Sequence, residues 1–415
     1  MVRSVQKMCW PFFVKYSIIK NYGEIYMIPF ARVLKYGNDV RDTKTIKKMK
    51  LEFATSYVLT TDGELYGRGA NSMGQLGTGD FVARTEWVLI RREVSNFWTS
   101  LSYDIIFIQS TDNRLWYCGN NANLQGIPWS EATNIPVLTE ISYFSGRPMK
   151  KVHCTPTSAR GCTIFLTENG FLYATGNRTG FSSSSGASQS FFSIDNTVDD
   201  FAPLNLGIVY IKGSSMYGCG LNQSKIISQS AADNAALNST LMRTNYSSQL
   251  TAVDYSLTYK ATNGRVYGIG QQPYGRFGIG NNTSYDGTWV ECTGYGSPSL
   301  MCQIKTGGSS IYIQNSTFYA VGRNSESIYD MPVQGTTNLL YPVAFSTPFD
   351  VSSIFAIYVY REFSSFFYST NKVYYCGRLS NGAVLLTSDK VISEVPSSFF
   401  EGFTIELDPV LMQDS

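Results

Sequence analysis

The chain has 415 residues, with 33 Lys and Arg against 31 Asp and Glu, a formal charge of +2 and a single histidine. Near neutrality leaves no global basic field to gather nucleic acid or anionic lipid, and one histidine excludes paired-histidine metal sites within the chain. Charged residues make up 15% and aromatics 14%, so the surface is largely Ser, Asn, Thr and Tyr over ample apolar material for a large core.

The opening residues are basic and apolar, with Arg3, Lys7, Lys15 and Lys20 ahead of the first acid, Glu24. Lys15 and Lys20 interrupt the apolar run, so the segment reads as strand and not as a leader. No stretch approaches the ~18 apolar residues of a spanning helix, and no membrane span is expected. Over about residues 5–36 the sequence forms a degenerate repeat, in which Gly23-Glu24-Ile25-Tyr26 echoes Gly63-Glu64-Leu65-Tyr66. A basic stretch follows: Arg41, Lys44, Lys47, Lys48 and Lys50, with Asp42 as its one acid. It is the candidate partner-binding patch for an acidic surface, such as a GTPase, tubulin tails or a phosphate backbone. The plainer reading is a solvated loop entering a strand.

From there a single pattern recurs: an alternating apolar strand, a turn, then aliphatic-aromatic-x-x-Gly. Its copies end at Gly69, Gly119, Gly176, Gly220, Gly270, Gly322 and Gly377, at intervals of 44 to 57 residues. Asp62-Gly63, Asn169-Gly170 and Asn263-Gly264 suit type I′ hairpin turns, and the flanks are rich in Tyr, Val, Ile and Phe as half-buried strands require. About 30 residues between hairpins leave room for two more short strands, so each period predicts a four-stranded antiparallel blade. The fold class is all-β, a seven-bladed β-propeller, with the opening copy keeping an eighth blade open. Residues 1–415 read as one propeller domain. A closing strand at about 399–408, centred on Phe403-Thr404-Ile405-Glu406-Leu407, is expected to pair with N-terminal strands, because an open ring exposes an edge. The Ser-rich stretch 180–190 and residues 230–245 are the longest excursions between strands, expected as loops on one face.

Chemistry is sparse. Gly67 to Ser72 and Gly74 to Gly79 lack the helix or the Lys-Ser/Thr pair of phosphate-binding loops, so turn glycine is the better account and no cofactor is expected. Cys118, Cys219 and Cys376 hold one repeat position, read as small buried residues near the axis. No pair has Cys-x-x-Cys spacing, which argues against metal and for a reducing, intracellular setting. His153 falls on the expected innermost strand of its blade, with no triad framed around it.

Gly74-Gln75-Leu76-Gly77-Thr78-Gly79-Asp80, following Gly63-Glu64-Leu65-Tyr66, resembles the repeat of the regulator of chromosome condensation family. Eroded copies stand at Asn123 to Gly126 and Tyr274 to Gly280, and Asn recurs two residues after the repeat glycine at Asn71, Asn121, Asn222 and Asn324. The family Trp position carries Arg68, Cys118, Thr175, Cys219, Ile269, Val321 and Cys376, and the usual His before the second strand is absent, which marks a divergent member. The resemblance implies a seven-bladed propeller. It also implies either an interaction platform in signalling, cytoskeletal, axonemal or similar assemblies, or nucleotide exchange on a Ran-like small GTPase, as in the founder. The founder's exchange wedge and basic chromatin-binding tail match no numbered positions here. The expected function is therefore a non-catalytic scaffold with protein partners, cytoplasmic or cytoskeletal with a nuclear setting open; direct nucleic-acid binding is not expected.

Overall fold

The computed structural model describes residues 4–5, 16–21, 24–29, 43–51, 55–100, 104–122, 124, 126–128, 130, 132–154, 162–177, 187–253, 255–304, 308–324, 332–333, 335, 337–360, 364–377 and 390–413. They fall into two units, Met1–Lys44 and Thr45–Ser415. In the first, Ser4–Val5, Tyr16–Asn21 and Glu24–Pro29 form a three-stranded antiparallel sheet, with Asn21 opposite Glu24 and Tyr16 opposite Pro29.

The second unit is a seven-bladed propeller among the described residues. The first strands of its blades are Lys44–Leu51, Val94–Ser100, Met149–Cys154, Asp200–Leu204, Tyr246–Val253, Leu300–Met301 and Ala356–Tyr360. From blade 2 to blade 5 each first strand lies beside the next. Gln303–Ile304 then leaves blade 6 to pair in parallel with the first strand of blade 7. The first strands are thus the inner ones. Near-continuous apolar runs such as Ile105–Ser110 and Cys162–Thr167, buried at every position, make both faces of a blade sticky, and neighbouring blades bury them together. One seam joins Tyr57 and Leu59 of blade 1 to Phe97 and Ile106 of blade 2, and another joins Phe107 and Tyr117 of blade 2 to Val152 and Phe165 of blade 3. No blade can bury both faces alone.

The repeat glycine is the last or next-to-last residue of the third strand of every blade because the backbone there admits little else. Gly69, Gly119, Gly176, Gly220, Gly270, Gly322 and Gly377 all have φ between +94° and +122°. From Gly69 to Gly322 each marks a register shift against the fourth strand, the signature of a bulge. Space is closed as well: a Cβ on Gly119 would lie 2.2 Å from the Asp104 carbonyl oxygen.

Two residues further on, a buried amide holds the loop to the fourth strand. Asn222 accepts from the Ile227 and Ser228 amides at 3.0 and 2.9 Å and donates to the Ser228, Ala231 and Ala232 carbonyls. Asn71 and Asn121 do likewise, and in blade 5 Gln272 accepts from the Phe277 amide. These loops reach the next blade. The Gly79 amide donates to the Pro136 carbonyl at 2.9 Å, and Gly280 to Leu340 at 2.9 Å. Gly74 has φ +81° with Pro136 so close that a Cβ would fall 2.4 Å from its Cα, and Gly77 has φ +62° against Cys118 and Leu138. Between them Gln75 and Leu76 are fully buried. The Gly-Gln-Leu-Gly segment is a clasp between blades.

Several expectations are corrected. At the Asp-Gly and Asn-Gly hairpins only the glycine has positive φ. Gly63 N bonds the Thr60 carbonyl at 3.0 Å, and Thr60 N bonds the Glu64 carbonyl at 2.9 Å. That is a type I turn followed by a glycine bulge, fixed by the Thr60 hydroxyl, which bonds Asp62 and also receives the Glu64 amide. Ser110 and Thr167 repeat the arrangement. The type I′ form occurs instead at Asn315-Ser316, where both residues have positive φ. Residues 187–190 open the outer strand of blade 3, Ala187–Asp195, and 236–243 are the outer strand of blade 4, so neither is loop, while 180–186 lie outside the described residues. Cys118, Cys219 and Cys376 are buried as expected, but on third strands in the seams between blades, away from the axis.

The ring is closed by the chain's last strand. Phe403–Ile405 joins the inner edge of blade 1, and the Glu406 and Asp408 amides bond the Ile46 and Lys47 carbonyls at 3.0 and 2.8 Å. Apolar packing backs the seam: Phe399, Phe400, Leu407 and Met412 are buried among residues of blades 7 and 1, each worth about 2 kcal/mol of burial. The Trp87 indole donates to the Phe399 carbonyl at 2.9 Å.

Candidate functional site

The inner strands begin with a recurring irregularity. Register slips between Ile46 and Lys48, Val94 and Asn96, and Met149 and Lys151, and twice in blade 5, between Tyr246 and Thr251. Bulges re-aim side chains, and here they turn polar groups around the axis toward the next blade. Lys48 Nζ donates to Asn96 Oδ1 at 2.7 Å. Lys150 Nζ donates to the Asp199 carbonyl at 2.7 Å, and Lys151 Nζ to Asp200 Oδ1 at 2.8 Å and the Phe201 carbonyl at 2.9 Å. Gln249 Nε2 donates to the Ser299 carbonyl at 2.9 Å. Blades 1 to 2, 3 to 4 and 5 to 6 are thereby stitched near the axis.

Between the inner strands of blades 3 to 7 lies a cavity of about 500 Å³, within the usual range for ligand sites. Its rim is polar: Lys150, Lys151, Asp199 and Asp200 on one side, Ser248, Gln249 and Ser299 on the other. Its floor is apolar, with Leu250, Met301, Ile357 and Tyr358 all buried. The four charges sum to zero. Gln249 stands apart: it has φ +58°, unusual for a residue with a side chain, and its Oε1 is buried without a hydrogen-bond partner.

The basic stretch singled out in the sequence is not brought together as one exposed patch. Arg41 lies outside the described residues. Lys44 and Lys47 are half-buried, and burial lowers the Lys47 pKa despite Asp408 and Asp62 nearby. Lys48 and Lys50 are fully buried: Lys48 reaches Asn96, and Lys50 Nζ stands 3.7 Å from the centre of the Tyr358 ring. Both are inner-strand residues, so the reading of a solvated loop or docking patch is corrected for this pair. His153 is on the inner strand as expected, paired with Ile164. Among the described residues no three His, Cys, Asp or Glu side chains gather as a metal site, and no described helix is long and apolar enough to cross a membrane. Sequence reasoning missed Lys151, Asp200 and Gln249; their common signal is a polar residue where an inner strand should be apolar.

No protein-family model matches the chain. An RCC1 repeat-containing protein of Dictyostelium discoideum is 26% identical over 167 residues, which is 38% of this chain and 34% of that protein; the match thus spans about a third of the relative's length. Among solved structures, human WBSCR16 is similar with a TM-score of 0.63 at 12% identity, over 80% of this chain and 94% of its own. Prp20p of Saccharomyces cerevisiae, described with its binding to Gsp1p and histones, has a TM-score of 0.59 at 13% identity over 80% and 82%. Yeast RCC1 (Prp20) bound to Kap60 has 0.60 at 12% over 89% and 86%. At these identities the structures speak to the fold. With the repeat match, they show that the chain is similar to RCC1 repeat proteins in part of its sequence and to their propellers in fold.

Proposed function

We propose that the chain is a non-catalytic interaction scaffold, a component of a larger assembly, that takes a protein partner at the axial mouth where the inner strands begin. The axial cavity supports this reading: Lys151 is paired with Asp200, Lys150 is held by the Asp199 carbonyl, and the floor is apolar, which suits recognition and leaves no group poised for acid–base work. The buried thiols point the same way, since burial raises the Cys118, Cys162, Cys219 and Cys292 pKa values and keeps them from acting as nucleophiles. A cytoskeletal or axonemal assembly suits the low charge and high aromatic content. The alternative is an exchange factor for a Ran-like GTPase, favoured by the likeness to Prp20p, a protein described as binding Gsp1p.

Two measurements separate the readings. Affinity capture from the source cell with the wild-type chain and with Met301→Trp, which fills the cavity floor, is expected to show one partner lost from the variant. Labelled-GDP release from a panel of Ran-like GTPases is expected to be unchanged by the protein. Acceleration by orders of magnitude would overturn the scaffold reading.

A further inference from the structure

We propose that a row of aromatic rings where blades 2 and 3 meet docks a proline-rich segment of a partner, in the polyproline II conformation and with an acidic residue among its prolines. The inference deepens the scaffold reading and rests on it, at a patch separate from the axial cavity.

Four rings make the row. Phe171 stacks on Tyr173 with 6.2 Å between ring centres, Tyr173 meets Tyr143 edge-on at 5.8 Å, and Tyr143 stacks on Phe191 at 4.8 Å. Tyr143 and Phe171 are 41% and 39% exposed, and the other two are half-buried. Phe171 follows the hairpin turn beside the start of blade 3's inner strand, where Thr167 lies opposite Met149. Tyr143 sits in a short helical turn, Ser142–Phe144, on the segment leading into that start. The row therefore shares the face on which the axial cavity opens. Beneath it the buried Phe144 ring contacts Tyr143, Tyr173 and Phe191 and packs 4.9 Å from Phe165. Rings set on the core in this way are already ordered for binding.

The polar groups along the row can all donate. Arg147 is exposed; its guanidinium carbon lies 5.2 and 5.9 Å from the Tyr143 and Tyr173 ring centres, and Nη1 donates to the Tyr173 hydroxyl at 3.4 Å. That hydroxyl keeps its own hydrogen to give, and arginine has no acceptor. A polyproline II backbone makes no internal hydrogen bonds, so its carbonyls are open, and proline brings no N–H in need of an acceptor. Rings and donors together match such a segment, the pairing by which aromatic-lined grooves take proline-rich chains. Charge completes the choice: among the described residues no carboxylate pairs with Arg147, so an acid among the prolines meets an uncompensated cation. Single-stranded nucleic acid also stacks on aromatic rings, but it needs a groove of cations along its backbone. This row holds Arg147, with Glu168 exposed at the neighbouring turn.

The test uses the full chain and fluorescein-labelled acetyl-Pro-Pro-Pro-Glu-Pro-Pro-Pro-amide, followed by fluorescence anisotropy. Its counterparts are the same peptide with Gln for Glu, the same peptide with Ala for every Pro, and labelled oligothymidylate. The proline–glutamate peptide is expected to bind saturably, and the alanine peptide about tenfold more weakly or not at all. Tyr143→Ala is expected to weaken binding about tenfold, the loss of a contact that dominates an interface. Arg147→Gln is expected to remove the advantage of Glu over Gln, about threefold for an exposed ion pair. Phe171→Ser, also on the surface, serves should Tyr143→Ala fail to fold. Met301→Trp is expected to leave peptide binding unchanged. No saturable binding, equal binding of the alanine peptide, binding undiminished in both ring variants, tighter binding of oligothymidylate, or loss of binding in Met301→Trp overturns the proposal. No peptide binding, with a partner still lost from Met301→Trp, defeats the row and leaves the scaffold. Peptide binding together with accelerated GDP release defeats the scaffold and leaves the row.

Discussion

Lys48, fully buried on the inner strand of blade 1, donates to Asn96 Oδ1 of blade 2 at 2.7 Å, with its ammonium 5.3 Å from the Phe97 ring centre. A buried cation is stable only when hydrogen-bonded. Asn96→Leu is therefore expected to destabilise the propeller by about 2–3 kcal/mol, the range for a hydrogen bond to a charged group, whereas Lys48→Met with Asn96→Leu recovers most of the loss. Denaturant midpoints of the single and double variants measure it; equal losses in single and double would deny the coupling.

Gly119 and Gly335 both have positive φ, +112° and +106°, but a Cβ at Gly119 meets the Asp104 carbonyl at 2.2 Å while nothing lies within 4 Å at Gly335. Gly119→Ala is expected to cost about 3 kcal/mol or more from strain and displaced backbone, and Gly335→Ala about 1 kcal/mol. Thermal unfolding of the pair tests whether close approach, beyond φ alone, sets the repeat glycine.

Asn222→Asp keeps the acceptor for the Ile227 and Ser228 amides but loses the donor to Ser228, Ala231 and Ala232. Removing those bonds is expected to cost about 1–3 kcal/mol and to speed hydrogen exchange in residues 222–235 relative to other loops. Unchanged exchange there would show that the amide does not hold the loop.

These glycines and asparagines were legible because a backbone conformation restricts residue type wherever it recurs. The axis was not legible. Lys48 and Lys50 read as solvated because charge defaults to the surface, and their burial depends on seven blades meeting. Gln249 shows in the sequence only as a polar residue on an inner strand; the bulge that re-aims it is a relation between two strands. The Asp-Gly and Asn-Gly hairpins were misread in type because such a dipeptide suits either turn: Asn263-Gly264 takes the same form as Asp62-Gly63 although Ala261, two residues before it, has no hydroxyl.

Asp80 is half-exposed and paired with Arg84 at 2.6 Å. The Arg84 hydrogen bond, then the Val82 amide, lower its pKa from 3.8 to about 2. A carboxylate whose folded pKa is depressed adds stability above its unfolded value and loses it as pH falls toward the folded one. The Asp80 carboxyl is expected to titrate near 2 by carbon-detected NMR, and Arg84→Gln to move it up toward 3.8; an unmoved midpoint would assign the shift to the backbone.

The seven described cysteines are buried, and burial moves the Cys219 pKa up to about 11. With Cys9 replaced by Ser, a thiol-specific disulfide reagent at pH 8 is expected to label essentially no cysteine in the native chain and all seven after denaturation. Rapid native labelling of Cys118 or Cys376 would mean that the seams between blades open easily.

The shared cavity requires that the circle of inner strands be latched shut by the chain's far end. Native-state hydrogen exchange at the Glu406 and Asp408 amides, bonded to Ile46 and Lys47, measures that latch. We predict that both exchange only through global opening, with the same free energy as amides of the inner strands. Exchange as fast as that of an unstructured segment would contradict a closed ring, and with it a pocket at its centre.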